Sequence, residues 1–396
     1  MLQKLKSYKR YFFYALSIAI SRGLEYFVLF YAALFLTKED YGQLEFYKKL
    51  IELLAVALAF GLPSLLLTYT KSKNSKIYLN ILAFLFIIVL VLVVSPILWL
   101  FNYQFLVIPV LFHAIFFNNG VIPVFFITKL GSNKASIYKA ATSFLFYLGV
   151  FILLLLHPEP QKAFVIVNYY LIGIGIVFLT GLFKNYHIKL NFLKRYFGLF
   201  KKLLLSSLTL VVSNFANIMF LYTDIMILKL ISKTPNTDIA DYSFALNIAN
   251  MLILVPLTMV QVDIEKIKNK FEVKDLNRRI TKFLIIMACS LLLGYLFLIN
   301  TYYTNYRETF YLFIFILLAK FFQSMSVLHG AIILVSKKFG INLKINVIVL
   351  TLNLILSILL YKTFNVFGIA IASLLSLFMR YSLLKFFSGY KMYETK

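Results

Sequence analysis

Arg22 and Glu25 stand three residues apart inside an otherwise apolar run, S-I-A-I-S-R-G-L-E-Y-F-V-L-F-Y-A-A-L-F-L at Ser17–Leu36. On a helix that spacing puts both side chains on one face. A guanidinium there offers a planar fork that matches two oxygens of a phosphate. The glutamate is open to two readings. It forms an ion pair that lowers the cost of burying the arginine, or it holds the arginine in position for an anion. Lys320, in A-K-F-F-Q-S-M-S-V-L-H-G, shares a helix face with Gln323 and Ser324 and reads as a cation lining a wet cavity.

Asp224 lies in L-Y-T-D-I-M-I-L-K at Leu221–Lys229. Lys229 is near enough to the end of its span to carry its ammonium to the surface. Asp224 is too short for that. It is an acceptor for a coupling proton or Na⁺, a role it shares as a candidate with Glu25, or it is half of a structural ion pair. Asn214, Asn217 and Gln323 are candidates for bonding sugar hydroxyls. The other asparagines in apolar stretches read as links between helices. His113 and His329 read as hydrogen-bonded interior histidines, and Glu52 as a solvated helix start.

What must position these residues is a helix bundle in a membrane. Of 396 residues, 62% are hydrophobic and 14% charged, where a soluble domain carries about 25% charged residues. Mean hydropathy is +0.87. No soluble domain fits this composition. A charge at a helix centre costs about 2.5–3.5 kcal/mol on insertion scales, so such groups face the bundle interior or water. The start, M-L-Q-K-L-K-S-Y-K-R, resembles a signal peptide. The apolar run after it is too long, carries Arg22 and lacks a small-x-small cleavage site, so it reads as a retained first span. The single cysteine, Cys289, excludes a disulfide framework and a cysteine metal cluster.

A helical span needs about 20 mostly apolar residues. Twelve segments qualify: 11–36, 50–69, 77–100, 104–128, 136–156, 162–183, 203–230, 242–262, 280–299, 309–335, 342–361 and 364–386. The formal net charge of +25 is distributed unevenly. Arg22 and Lys320 fall within spans. The loops after odd-numbered spans hold only Lys38, Lys48, Lys49, Lys162, Lys229, Lys233, Arg307 and Lys362. Every other lysine and arginine lies in the two tails, in the loops after even-numbered spans or at the span ends beside them. That bias puts both termini in the cytoplasm and makes the excess charge a rim facing anionic lipid, with no role for nucleic acid.

The chain also shows signs of duplication. Lys9-Arg10 precedes Ser21-Arg22 as Lys201-Lys202 precedes Ser213-Asn214, at one offset of 192. In that register Arg22 matches Asn214 and Glu25 matches Asn217. Both first spans end before a D-Y pair, E-D-Y-G at Glu39–Gly42 and A-D-Y-S at Ala240–Ser243. Two six-span halves, 1–200 (with a cytoplasmic linker at 184–200) and 201–396, would be parallel repeats with a substrate site between them. No G-x-x-x-x-G-K-[ST], H-E-x-x-H, G-x-S-x-G or His/Cys cluster appears, so neither ATP hydrolysis nor a resident metal or cofactor is expected.

The basic start, S-R-G-L in the first span, L-T-K-E-D-Y-G-Q-L at Leu36–Leu44, F-G-L-P-S at Phe60–Ser64 and L-Y-T-D-I-M-I-L at Leu221–Leu228 resemble one family. It is the polysaccharide biosynthesis/export family, the O-antigen flippase branch of the superfamily that also holds multidrug/toxin extruders and lipid II flippases. The resemblance implies a V-shaped pair of six-helix bundles in the bacterial inner membrane. It implies movement of an undecaprenyl-diphosphate-linked oligosaccharide to the outer leaflet through a cationic cavity, with H⁺ or Na⁺ coupling. Arg22 sits where the family often carries a first-span arginine, and Asp224 where it often carries a seventh-span aspartate. Partners would be a glycan polymerase and chain-length proteins. The chain departs from the family pattern at Ser243, where a glycine is usual. Lys320 lies in no matching motif, and the two extra spans of lipid II flippases are not found.

The resulting expectation is an all-α membrane protein that is a transporter, not an enzyme. It would flip a lipid-linked oligosaccharide by alternating access. Arg22 and Lys320 would hold the diphosphate, Asn214, Asn217 and Gln323 would touch the glycan, and Asp224 or Glu25 would carry the coupling ion. A cation-coupled extruder of organic cations is the alternative. A membrane glycan polymerase or ligase ranks third, because the outer loops are short.

Overall fold

The computed structural model describes residues 21–68, 73–118, 120–184, 190–262, 267, 273–336 and 338–389. Among them there are helices and turns and no strands. Lipid cannot bond a free N–H or C=O, so an apolar chain satisfies its backbone within helices. The elements are α1 (21–35), α2 (Lys38–Ala59), α3 (Leu62–Thr68), α4 (Lys73–Leu100), α5 (Val107–Ile115), α6 (Val121–Phe125), α7 (Ser132–Leu156), α8 (Ala163–Phe183), α9 (Leu190–Ile231), α10 (Pro235–Val262), α11 (Val273–Thr301), α12 (Phe310–Val335) and α13 (Phe339–Phe387).

By length and composition, 7 of the described helices could cross a membrane, beginning at Ser75, Asn133, Pro160, Pro235, Val273, Thr304 and Phe339. The differences from twelve apolar segments have physical causes. The second segment, expected from residue 50, begins instead at Lys38, so Lys48, Lys49 and Glu52 lie inside α2 rather than in a loop or at a helix start. The F-G-L-P-S signature then interrupts it. Phe60 and Gly61 take positive φ of 48° and 64°, and Pro63 falls in the first turn of α3, where its missing N–H costs nothing. The fourth segment is also broken. α5 ends at Ile115 and α6 starts at Val121, followed by a π-turn over Phe126–Leu130. Gly120 sits at this break because a β-carbon there would lie 2.6 Å from the Ile115 carbonyl oxygen. The seventh segment is not preceded by a separate linker helix: α9 runs unbroken from Leu190. Its 42 residues would extend about 63 Å if straight, about twice the hydrocarbon thickness.

The last two segments meet in α13, which folds back on itself. Asn365 leaves helical geometry at φ 50°, ψ −132°. Arg380 Nε bonds Asn346 Oδ1 at 3.3 Å, and Ser373 Oγ approaches Asn353 Oδ1 at 3.5 Å. Those pairings define two antiparallel arms. Ile345, Val349, Leu377 and Leu384 bury the seam between them, with Ala319 and Ile333 of α12.

Two compact units emerge. Unit 1 is α1 up to Ala32 with Tyr47–Val211, and unit 2 is Ala33–Phe46 with the chain from Val212 onward. The beginning of α2 therefore belongs to unit 2. There Gly42 lies so close to Asn236 that a β-carbon would meet its carbonyl oxygen at 1.7 Å. Lys38 pairs with Asp241 at 2.7 Å. The core of unit 1 gathers Phe112, Phe146 and Phe164. That of unit 2 stacks Phe244 on Tyr306 at 4.2 Å and Tyr295 on Phe313 at 3.8 Å.

The hairpin in α13 yields a test. A β-carbon on Gly368 would lie 2.2 Å from the Leu360 carbonyl oxygen, whereas one on Gly294 would meet nothing within 4 Å. Gly368→Ala should destabilise the protein by about 1–3 kcal/mol or more. Thermal unfolding in detergent should show a lower Tm for Gly368→Ala and none for Gly294→Ala.

Candidate functional site

The densest charge cluster lies in unit 1, on α1 and α2. Arg22 Nη1 donates to Glu25 Oε2 at 2.7 Å, and Lys48 Nζ donates to Glu25 Oε1 at 2.8 Å. Lys48 also stands 3.5 Å from Glu52 Oε1, one turn along its own helix. The Lys48 side chain is 4% exposed, whereas that of Arg22 is 52% exposed. Glu25 is thus a buried carboxylate with a cation on each oxygen. One cation is sealed in and the other reaches outward. Burying a carboxylate is tolerable only with such compensation. Lys49 is buried beside Lys48, and Tyr26 and Tyr147 lie within electrostatic reach of Arg22.

Around this cluster the broken segment supplies polar groups. Ser21 Oγ donates to Ser143 Oγ at 2.6 Å, and Ser143 exchanges bonds with Asn118 in the break between α5 and α6. Tyr138 caps the freed Phe116 carbonyl at 2.8 Å. His113 is buried between Phe117 and Phe146 rather than hydrogen-bonded, since its Nε2 has no partner.

Lys48 and Lys49 were not legible as site residues. They follow the polar stretch T-K-E-D-Y-G-Q and precede an apolar run, so hydropathy assigns them to a loop. The available signal was Lys48 and Glu52, an i,i+4 pair of opposite charge that suggests the helix already runs there.

Unit 2 treats its acid differently. Asp224 on α9 is buried and accepts from Tyr242 on α10 and Ser373 on α13 (2.6 Å) through Oδ2, and from Asn353 on α13 (3.2 Å) through Oδ1. These donors are neutral. Lys320 on α12 is buried and within electrostatic reach of Asp224. Its ammonium donates to Gln323 Oε1 at 3.0 Å. Lys229 bonds Asn236 at 2.8 Å and lies over the Phe46 ring. A second buried acid, Glu45, accepts from Asn247 at 2.7 Å and from Tyr41 at 3.3 Å.

The structure therefore brings together Arg22 with Glu25 and Lys320 with Gln323 and Asp224. Arg22 falls in unit 1 and Lys320 in unit 2. α9 passes through Asn214 and Asn217, whose side chains lie outside the described ones. Among the described residues no three His, Cys, Asp or Glu side chains are grouped to hold a metal.

Residues 7–263 match the family described as polysaccharide biosynthesis protein. The chain belongs to this family. No curated protein sequence matches it. Its fold is similar to the lipid II flippase MurJ in an inward closed conformation, with a TM-score of 0.66 and 15% identity over 94% of this chain and 86% of that one. It is also similar to an inward-facing multidrug resistance MATE family transporter of the MOP superfamily, at a TM-score of 0.61 and 11% identity over 97% and 95% of the two chains. A eukaryotic MATE transporter, AtDTX14, gives a TM-score of 0.53 and 14% identity over 99% of each chain. The fold shared with these structures is all-helical, and several of its helices are long and apolar enough to cross a membrane. The family's E-D-Y-G stretch has a structural role in this chain. Gly42 permits the contact with Asn236, and Asp40 bonds Thr37 to begin α2.

The Glu25 cluster is testable by stability. Glu25→Gln removes the carboxylate that compensates the sealed Lys48, a change that typically costs about 3–5 kcal/mol. Glu25→Gln with Lys48→Met should recover much of that loss. A double-mutant cycle on unfolding in detergent measures it. An additive pair of effects would show that the two side chains do not depend on each other.

Proposed function

We propose that the protein is a flippase for a polyprenyl-diphosphate-linked oligosaccharide of the O-antigen or capsule type. It would work by alternating access between two six-helix halves, 1–200 and 201–396, in a bacterial inner membrane with both termini cytoplasmic. The observation that carries the reading is the half-exposed side chain of Arg22, whose guanidinium pairs with Glu25. It is fixed at one nitrogen by a buried carboxylate and backed by a second, sealed cation. Within the cluster Arg22, Lys48 and Lys49 outnumber Glu25 and Glu52 by one positive charge, which suits a diphosphate better than an organic cation. The geometry favours Glu25 as the residue that positions Arg22. In this reading Lys320, oriented by Gln323, is the second ligand of the diphosphate, and Asn214 and Asn217 contact the glycan.

Ion coupling fits Asp224 better than Glu25. Glu25 is already neutralised by two cations, whereas Asp224 is held by neutral donors and is thereby able to take up a proton or Na⁺. Membrane potential adds about 2.3 kcal/mol per charge per 100 mV, so an anion leaving a negative interior moves downhill. The family and the fold neighbours are transporters and flippases, and the polymerase or ligase reading is set aside. The cation-coupled extruder keeps one argument, the fold shared with MATE transporters.

In proteoliposomes, Arg22→Ala should slow translocation of a lipid-linked oligosaccharide at least about tenfold, the loss expected for one charge-assisted bidentate contact. Arg22→Lys should keep an intermediate rate. Full activity of Arg22→Ala would remove Arg22 from the site, and extrusion of cationic dyes without glycolipid movement would favour the extruder. Asp224→Asn should abolish the response of the rate to an imposed H⁺ or Na⁺ gradient. An unchanged response would assign coupling elsewhere.

A further inference from the structure

α11 carries a surface that neither charge cluster uses. Its 29 residues rise about 44 Å, and the hydrocarbon layer takes about 30 Å of that. At the far end Tyr302 and Tyr311 are exposed, and tyrosine settles at the boundary between membrane and water. Counting back about 20 residues from Thr301 puts the opposite boundary near Lys282. Arg278 then stands about 6 Å outside the hydrocarbon. That is the depth of the headgroup layer, which is about 5–8 Å thick on each side.

Helical spacing divides this surface lengthwise. Val273, Leu276, Ile280 and Leu284 are buried and lie three or four apart, so they form the face held against the protein. Thr281 Oγ1 reaches Met325 Sδ on α12 at 3.6 Å at the same level. On the other side Lys274, Arg278, Arg279 and Lys282 are exposed. Lys274, Arg278 and Lys282 recur every fourth residue and stand in one column. The column continues into Ile285, Ile286, Cys289, Leu293 and Leu296, all of them exposed. Asp275 is the one acid on the helix, and among the described residues it forms no ion pair with any of the four cations.

Orienting a span needs only a count of lysines and arginines on one side. It does not need them stacked above a strip of exposed apolar side chains. Cations at headgroup depth over such a strip match a molecule with phosphate at one end and acyl chains at the other. The arginine fork suits two phosphate oxygens, and several cations together favour a headgroup whose phosphate is not cancelled by an ammonium of its own. An acidic protein from the aqueous side would use the cations and leave the strip bare. We infer that the exposed face of α11 from Lys274 to Leu296 is a binding site for an anionic phospholipid. The headgroup phosphate rests on Arg278 and Lys282 with Arg279 at its edge, and an acyl chain runs along Ile285, Cys289 and Leu293. This lipid stays in its leaflet and is not the cargo. The inference needs only that α11 crosses the membrane, so it stands apart from the reading of what is transported.

The single cysteine, Cys289, is exposed on this strip and serves as the reporter. A bimane attached to it is quenched by a phospholipid with brominated acyl chains when that lipid is in contact. In bilayers of phosphatidylcholine, brominated phosphatidylglycerol should associate with the reporter at least about fivefold more strongly than brominated phosphatidylcholine. That is the preference supplied by one lysine or arginine at an anionic surface. The triple variant Arg278→Gln, Arg279→Gln, Lys282→Gln should lose the preference. Arg195→Gln, Lys201→Gln, Lys202→Gln removes the same charge from exposed positions of α9 and should keep it. Equal association of the two lipids with the native chain overturns the site. An equal loss in both triple variants also overturns it, by reducing the preference to the overall charge of the rim. If the α11 variant fails to assemble, the native cations still decide the matter. With Cys289→Ser, Leu296→Cys moves the reporter about 10 Å along the same strip, into the other half of the bilayer, where the preference should vanish. A preference of equal size at 289 and 296 overturns the site.

Discussion

A single buried carboxylate, Glu25, organises the charged part of unit 1. It bonds Lys48 on one oxygen and Arg22 on the other. Without it, a sealed ammonium in α2 would have to be compensated by Glu52 at 3.5 Å. With it, α1 and α2 are tied at one level, and a guanidinium is fixed at one end while more than half its side-chain surface stays open. A salt bridge that only neutralised two charges would bury both partners equally. This one buries the acid and one base and leaves the other base accessible. That asymmetry holds one cation in place and leaves it reachable.

The second acid lives under another rule. Asp224 is surrounded by Tyr242, Ser373 and Asn353, all neutral, contributed by α10 and both arms of α13. Its carboxylate is held by side-chain dipoles rather than by a paired cation. Lys320 is near, and its ammonium donates to Gln323. The two units thus hold acids of different chemical temper, one locked by cations and one held by neutral donors.

Much of this could be read from the chain. Composition gave the solvent, and Arg22, Glu25, Asp224 and Lys320 were visible as charges too costly to sit in a span by accident. The last two apolar segments were separated in the sequence at Lys362–Thr363, and the reversal falls just beyond, at Asn365. Hydropathy failed where a helix is polar because it is buried in protein rather than in lipid. α2 begins at Lys38, amid lysines and acids whose partners lie elsewhere in the fold, Asp241 for Lys38 and Glu25 for Lys48. A window that averages apolarity cannot see compensation between residues far apart in sequence. The break at 116–120 was missed for the opposite reason, since its flanks are uniformly apolar and only Asn118, Asn119 and Gly120 mark it.

Gly42 changes what the D-Y-G signature means. It is the letter in that signature by which the resemblance is most easily noticed, and its reason is steric, because two backbones approach until no methyl group fits between them. At the matching place in the second half stands Ser243, a buried side chain with an oxygen to accommodate. Scanning genomes for the glycine therefore selects for a helix crossing distance and is blind to what the transporter carries. Cargo preference has to be sought among residues that drift more freely around that fixed crossing.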